Sequence, residues 1–295
     1  MELFAKWLPY ILAGVSVGGQ YALIAIGYTM VYGIAKMLNF AHGDIIMVGG
    51  YTIVVCLNTL GFHPLLCVLG AVVVCVAVGV VMEKLAYKPL RGSSPLFVLI
   101  TAIGVSYLLQ SLAQIIFGSG GSMVVLADWG TVSLGGLVIN VYTLVTLVVA
   151  IVIMVALTLF INKTRTGKAM LAVSEDRDAA LLMGIDVNKI ISVTFAVGAA
   201  LAAIAGAFYI LETRSVSPTL GSLPGIKAFT AAVIGGIGSV SGAMFGGLLL
   251  GVIECACNAV PGLSNYTVAI EFGLLIVILL VKPTGLLGKK KSEKV

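Results

Sequence analysis

Ile190-Ile-Ser-Val-Thr-Phe-Ala-Val-Gly-Ala-Ala-Leu-Ala-Ala-Ile-Ala-Gly-Ala-Phe-Tyr-Ile-Leu211 holds 22 residues and no charge. About 20 apolar residues in a helix cross the hydrocarbon core of a bilayer. The stretch therefore reads as a membrane span, and similar stretches recur on both sides of it. Trp7 to Ala35 is uncharged over 29 residues, and Ile45 to Met82 over 38. Gly61-Phe62-His63-Pro64 divides the second into two short helices joined by a tight turn. Spans near 95–117 and 141–161 flank a segment broken by Gly118–Ser122, Asp128 and Ser133–Gly136. Ala228 to Cys257 and Tyr266 to Val281 complete the set.

Composition agrees. Of 295 residues, 60% are hydrophobic and 10% charged, against about 25% charged in a soluble domain. So few charged side chains cannot cover a globular surface, which excludes an ordinary soluble enzyme, a disordered chain and a nucleic-acid-binding module. The five cysteines, Cys56, Cys67, Cys75, Cys255 and Cys257, all lie in apolar stretches and read as small buried hydrophobes. The first apolar stretch is about twice the 7–15 residue core of a secretory leader, and no short charged region precedes it, so it reads as a span. The expected fold is an all-α polytopic membrane protein of about 8–10 transmembrane or partly re-entrant helices, forming a single transmembrane domain over 1–295.

Thirteen of the 17 basic residues fall in 83–91, 163–189 and the tail 282–295. The positive-inside rule makes all three cytoplasmic. Three apolar stretches follow residue 189, whereas a cytoplasmic tail requires an even number of crossings. One stretch is therefore split or re-entrant, and Gly235-Gly236-Ile237-Gly238-Ser239 marks the place. A second break, Lys36 to Asp44, follows the first span; three crossings before residue 83 would put the N-terminus outside.

Chemistry on a bound substrate has no visible basis. There is no Gly-x4-Gly-Lys-Ser/Thr phosphate loop, no His/Cys cluster and no Ser-His-Asp set, and His42 and His63 are isolated. Neither a cofactor nor a metal is expected in this chain. Glycines four apart, namely Gly14/Gly18, Gly238/Gly242/Gly246 and Gly247/Gly251, suit close helix packing. Gln20, Asn39, His42, Asp44, Gln110, Arg214, Lys227, Glu254 and Glu271 are polar at depth and need partners. Broken helices at two places in such a chain point to a substrate path. Its candidates are Asn39, His42, Gly43, Asp44, Gly235, Gly236, Gly238 and Ser239.

Residues 163–189 form the long polar segment. Ser174 is a plausible N-cap, Glu175, Asp176 and Asp178 suit the positive end of a helix dipole, and Gly184 would stop the helix. The product is a short cytoplasmic helix with an apolar tip, Leu181-Leu182-Met183, which suits docking or a membrane surface.

Asp178-Ala179-Ala180-x3-Gly184 resembles the Glu-Ala-Ala-x3-Gly loop of bacterial ABC-importer permeases, with Asp for Glu and without the later Ile-x-Leu-Pro. Tyr21–Gly33, Asn39-Phe-Ala-His-Gly-Asp44, Lys227–Ser239 and Lys282-Pro-Thr-Gly-Leu-Leu-Gly288 resemble segments of LivH-type branched-chain amino acid permeases. The resemblance covers nearly the whole chain. It implies a bacterial inner-membrane subunit that moves Leu, Ile and Val. Its implied partners are a LivM-like permease, two ATPase subunits that hydrolyse ATP, and a periplasmic amino-acid-binding protein. Leu181, Leu182 and Met183 would enter the ATPase, while Glu175, Asp176, Arg177 and Asp178 set the register. Permeases for urea, amides or sugars are the alternative within the family, and an ion-coupled secondary transporter outside it.

Overall fold

The computed structural model describes residues 2–124, 130–134 and 137–288. Asp128, Gly135, Gly136 and the tail lysines Lys289, Lys290, Lys291 and Lys294 lie outside the described residues. Helix dominates: α1 (Glu2–Ala35), α2 (His42–Val54), α3 (Pro64–Met82), α4 (Pro95–Phe117), α5 (Val141–Lys163), α6 (Arg165–Glu175), α7 (Arg177–Leu182), α8 (Val187–Thr213), α9 (Ser222–Gly235), α10 (Val240–Ala259) and α11 (Thr267–Val281). Two short antiparallel pairings join Ser122–Met123 to Ser215–Val216 and Thr131–Leu134 to Leu137–Asn140. Among the described residues, seven helices are long and apolar enough to cross a membrane, and α2 and α9 add two short ones of 13 and 14 residues.

Pro and Gly place the boundaries. Pro64 and Pro95 occupy first turns behind His63 and Ser94, whose side chains accept from Leu65 N and Leu96 N. Gly118, at φ 85°, ends α4.

The chain separates into two compact units. The first draws on 1–29, 128–154 and 227–295. Here α1 and α10 meet through glycine: a Cβ on Gly251 would lie 2.3 Å from Gly18 Cα, and one on Gly247 2.5 Å from Ala22 Cα. Gly246 and Gly242 bring α10 equally close to Ala231 and Gly235 of α9. The spacings Gly14/Gly18, Gly242/Gly246 and Gly247/Gly251 thus serve backbone approach, and Gly238 does not. Lys227 lies inside α9, which begins at Ser222, six residues before the start expected from sequence. Its charge is tolerated because Nζ donates to Glu254 (2.7 Å) and Glu271 (3.3 Å).

The second unit draws on 30–127 and 155–226. Its core is α2 packed between α3 and α8, with Gly49 against Cys75 and Ala203, and Gly79 against Ala199. Met47, Tyr51, Cys67, Ala71, Ile210 and Val216 fill the space beyond. The outward faces carry Leu65, Leu69, Ile115 and Ile116, all exposed. Exposed aliphatic rows on helices of this length suit lipid. All five cysteines are free thiols, with Cys67 and Cys75 buried.

Leu286 N and Leu287 N donate to Ile234 O and Gly235 O, so the end of α9 and the segment after α11 are tied together. With its 14 residues α9 is an apolar helix shorter than a full crossing, and the 228–257 stretch is split between α9 and α10. Arg177 of the 163–189 loop holds the last carbonyls of α1.

Candidate functional site

Three places carry the residues singled out in the sequence. The first is the break between α1 and α2. Lys36, at φ 55°, ends α1. The terminal carbonyls that a helix leaves without partners are taken by Arg177, whose guanidinium donates to Ile34 O (3.0 Å) and Ala35 O. Asn39 is buried, and Tyr87 donates its hydroxyl to Asn39 Oδ1 at 2.6 Å. His42 and Asp44 are each 1% exposed in the first turn of α2. Ala41, before that turn, gives no side-chain cap. Asp44 supplies the negative charge that the helix start favours, and it accepts from Gln110 Nε2 at 2.9 Å.

Gly43 has a different role. A Cβ there would lie 2.5 Å from Gly221 O, and one on Gly221 would lie 2.0 Å from Gly43 O. The beginnings of the short helices α2 and α9 thus touch backbone to backbone. Gln110 joins the same point, because Nε2 also reaches Ser222 Oγ (3.3 Å) and Ser106 Oγ (3.2 Å). Gln110 was legible as polar at depth, but Ser106, Ser222 and Tyr87 were not. The Ser106/Gln110 spacing, one turn apart on α4, was the available signal.

The second place is Gly235–Ser239. Gly236 (φ 111°) and Gly238 (φ 95°) turn the chain between α9 and α10, and Ser239 caps α10 by accepting from Gly242 N at 3.1 Å. The chain fills this break itself: a Cβ on Gly236 would lie 2.6 Å from Gly288 N, and the last α9 carbonyls are taken by Leu286 and Leu287. Gly238 is exposed with open space around it.

The third place is the polar loop 163–189. It forms two helices where one was expected. Thr164 caps α6 by accepting from Gly167 N at 3.0 Å. Ser174 is not a cap; it lies in the last turn of α6 and donates to Leu171 O. Asp176, with extended backbone, breaks the helix and caps α7, accepting from Asp178 N and Ala179 N at 3.0 Å each. The cap falls two residues later than expected because a carboxylate with two amides in reach replaces a hydroxyl already bonded backward. At the far end, Gly184 N donates to Leu181 O and Ile185 N to Ala180 O, with Gly184 at φ 79°. Ala180 is buried, while Leu181, Leu182 and Met183 are 63%, 88% and 82% exposed. Glu175, Asp176, Asp178 and Ala179 are exposed. Arg177 instead turns inward to α1. Burial, then the neighbouring Arg91, pull its pKa below the usual arginine value.

The sequence matches the family described as "Branched-chain amino acid transport system / permease component" over residues 10–279. It is 44% identical to the high-affinity branched-chain amino acid transport system permease protein BraD of Pseudomonas aeruginosa, with 98% of each chain covered. It is 42% identical to LivH of Escherichia coli, covering 100% of this chain and 99% of that one. The ribose import permease protein RbsC of Bacillus subtilis is 30% identical over 50% of this chain and 45% of its own. Among solved structures, PsaBC from Streptococcus pneumoniae in complex with Fab shares the fold, with TM-score 0.52 and 17% identity over 95% of this chain and 92% of that one. Full-length identity at this level, on a helical frame with two short broken helices, places the chain in one family: it belongs to the permease components of branched-chain amino acid transport systems.

Proposed function

We propose that this chain is one permease subunit of an ATP-driven importer that moves Leu, Ile and Val across the bacterial inner membrane. The observation that carries this reading is the full-length identity to BraD and LivH; identity to the ribose permease spans only half the chain. A LivM-like permease completes the pathway, a periplasmic binding protein delivers the amino acid, and two ATPase subunits hydrolyse ATP. This chain has no phosphate-binding loop of the Gly-x4-Gly-Lys-Ser/Thr kind, in keeping with ATP hydrolysis by the partner subunits.

The coupling segment is 175–184. Its apolar tip, Leu181, Leu182 and Met183, is held away from the chain by a rigid cap at each end of α7 and docks into the ATPase. Glu175, Asp176 and Asp178 frame the tip with charge. Arg177 carries the stroke inward, because it holds the last carbonyls of α1 directly before the 36–44 break. The candidate path residues are Asn39, His42, Gly43 and Asp44 at the first break and Gly235, Gly236, Gly238 and Ser239 at the second.

The test is leucine uptake into proteoliposomes that hold the complete complex. Leu181→Asp buries a charge in the docking contact and should abolish ATP-driven uptake, while the two membrane subunits still co-purify. Undiminished uptake by that variant would remove 175–184 from coupling.

A further inference from the structure

Gln110 is the sixteenth residue of α4, which places it about 22 Å along the helix from its cytoplasmic end. That is inside a hydrocarbon core of about 30 Å. At this depth lies a polar group of Gln110, Ser106, Ser222 and the buried carboxylate of Asp44. It is not sealed within the chain. Gln110, Ser106 and Ser222 are half-buried, and Tyr107, Leu223 and Ile226 beside them are 66%, 49% and 44% exposed. An amide and hydroxyls facing lipid tails would be costly, so this face meets a watery path.

The hydrogen bonds set which atoms it offers. An amide beside a carboxylate orients its N–H groups toward the negative charge. Gln110 Nε2 is committed to Asp44, Ser106 and Ser222, which leaves Oε1 to accept. Ser222 Oγ receives one Nε2 contact, which leaves its O–H to donate. Ser222 also opens α9, at the positive end of the helix dipole. A hydrogen-bond acceptor, a donor beside a helix start, and an apolar rim fit an amino acid zwitterion with an aliphatic side chain.

We propose that Gln110 and Ser222 form a mid-membrane station for the transported amino acid. Gln110 Oε1 takes the ammonium, the Ser222 hydroxyl takes the carboxylate, and Tyr107, Leu223 and Ile226 receive the side chain. Asp44 and Ser106 position the amide. The station rests on the reading of this chain as a pathway subunit, and it names contacts that reading does not contain.

The experiment uses the whole complex in proteoliposomes with leucine-loaded binding protein. ATP-driven leucine uptake by the wild type establishes the transport reading independently; its failure would overturn that reading and the station with it. Given uptake, Gln110→Met keeps the side-chain length and removes the acceptor. It should lower the leucine moved per ATP hydrolysed about tenfold, the loss expected for one hydrogen bond to a charged group. Ser222→Cys should react with a charged, water-soluble thiol reagent, and leucine delivery during turnover should slow that reaction. Native cysteines are controlled for by the same labelling of the unsubstituted complex. A wild-type transport ratio in Gln110→Met overturns the station, as does a Ser222→Cys thiol that reacts only with membrane-soluble reagent. If Gln110→Met fails to assemble, the labelling of Ser222→Cys decides alone.

Discussion

The two breaks solve the same problem by opposite means. Both interrupt helices in a membrane, where exposed backbone groups must find partners. At 36–44 a side chain serves the helix end: Arg177 takes the last α1 carbonyls, while Tyr87 and Gln110 hold the side chains of Asn39 and Asp44. At 235–239 backbone supplies the partners, through Leu286 N, Leu287 N and glycines that admit Gly288. Side-chain partners can be exchanged during a cycle by rotamer changes. A backbone ladder with glycine contacts has no such freedom. The first break is therefore suited to move at its α1 end, whereas Gly43 and Gly221 fix its α2 end as glycines fix the second break.

The comparison breaks most sharply on glycine. Gly236→Val would combine a φ of 111° with a Cβ 2.6 Å from Gly288 N, and Gly221→Val would drive a side chain into Gly43 O. Gly236→Val should cost roughly 3 kcal/mol or more, from overpacking plus backbone strain, and Gly221→Val about 1–3 kcal/mol from overpacking alone. Neither complex should survive detergent extraction at normal levels. Wild-type yields of Gly236→Val would refute the rigid reading of the second break.

Arg177→Ala tests the mobile one. The α1 carbonyls lose their donors, but Leu181, Leu182 and Met183 stay exposed, so ATPase subunits should still bind. Leucine uptake per ATP should fall about tenfold, in line with the loss of charged hydrogen bonds. Arg177→Lys keeps a charge with fewer donors and should recover part of it. Equal uptake per ATP in Arg177→Ala and wild type would mean that the stroke enters elsewhere.

What could be read in advance follows from range. Spans and the second break are local: apolar runs and Gly-Gly-x-Gly are visible within a few residues. Gly184 as the end of α7 was likewise local. The partners of the first break are not. Arg177 reaches back 143 residues to Ile34, and Gln110 reaches 66 to Asp44. A charge at Lys227 looked like a boundary because Glu254 and Glu271, which neutralise it, lie 27 and 44 residues away. Ser174 was misread as a cap for a different reason. Asp176 was in view but was assigned to the helix dipole, and periodicity gave no sign of the bend there.

The smallest effects sharpen the comparison most finely, because they remove one hydrogen bond from each break. Tyr87→Phe deletes the donor to Asn39 Oδ1 in a buried place, at a cost of about 1–2 kcal/mol. Ser239→Ala deletes the cap of α10, at a cost of about 1 kcal/mol. By stability alone the two should be nearly alike, and thermal unfolding of the purified complex should show drops of a few degrees for both. Transport should separate them. Tyr87→Phe loosens a contact that holds the chain between α1 and α2, where movement is proposed, so leucine uptake should change by more than stability explains. Ser239→Ala weakens a turn that the α9 and tail-segment backbone still holds, so uptake should follow the amount of folded complex. Equal effects on uptake, once corrected for folded complex, would show that both breaks are static and that the moving part lies elsewhere in the chain.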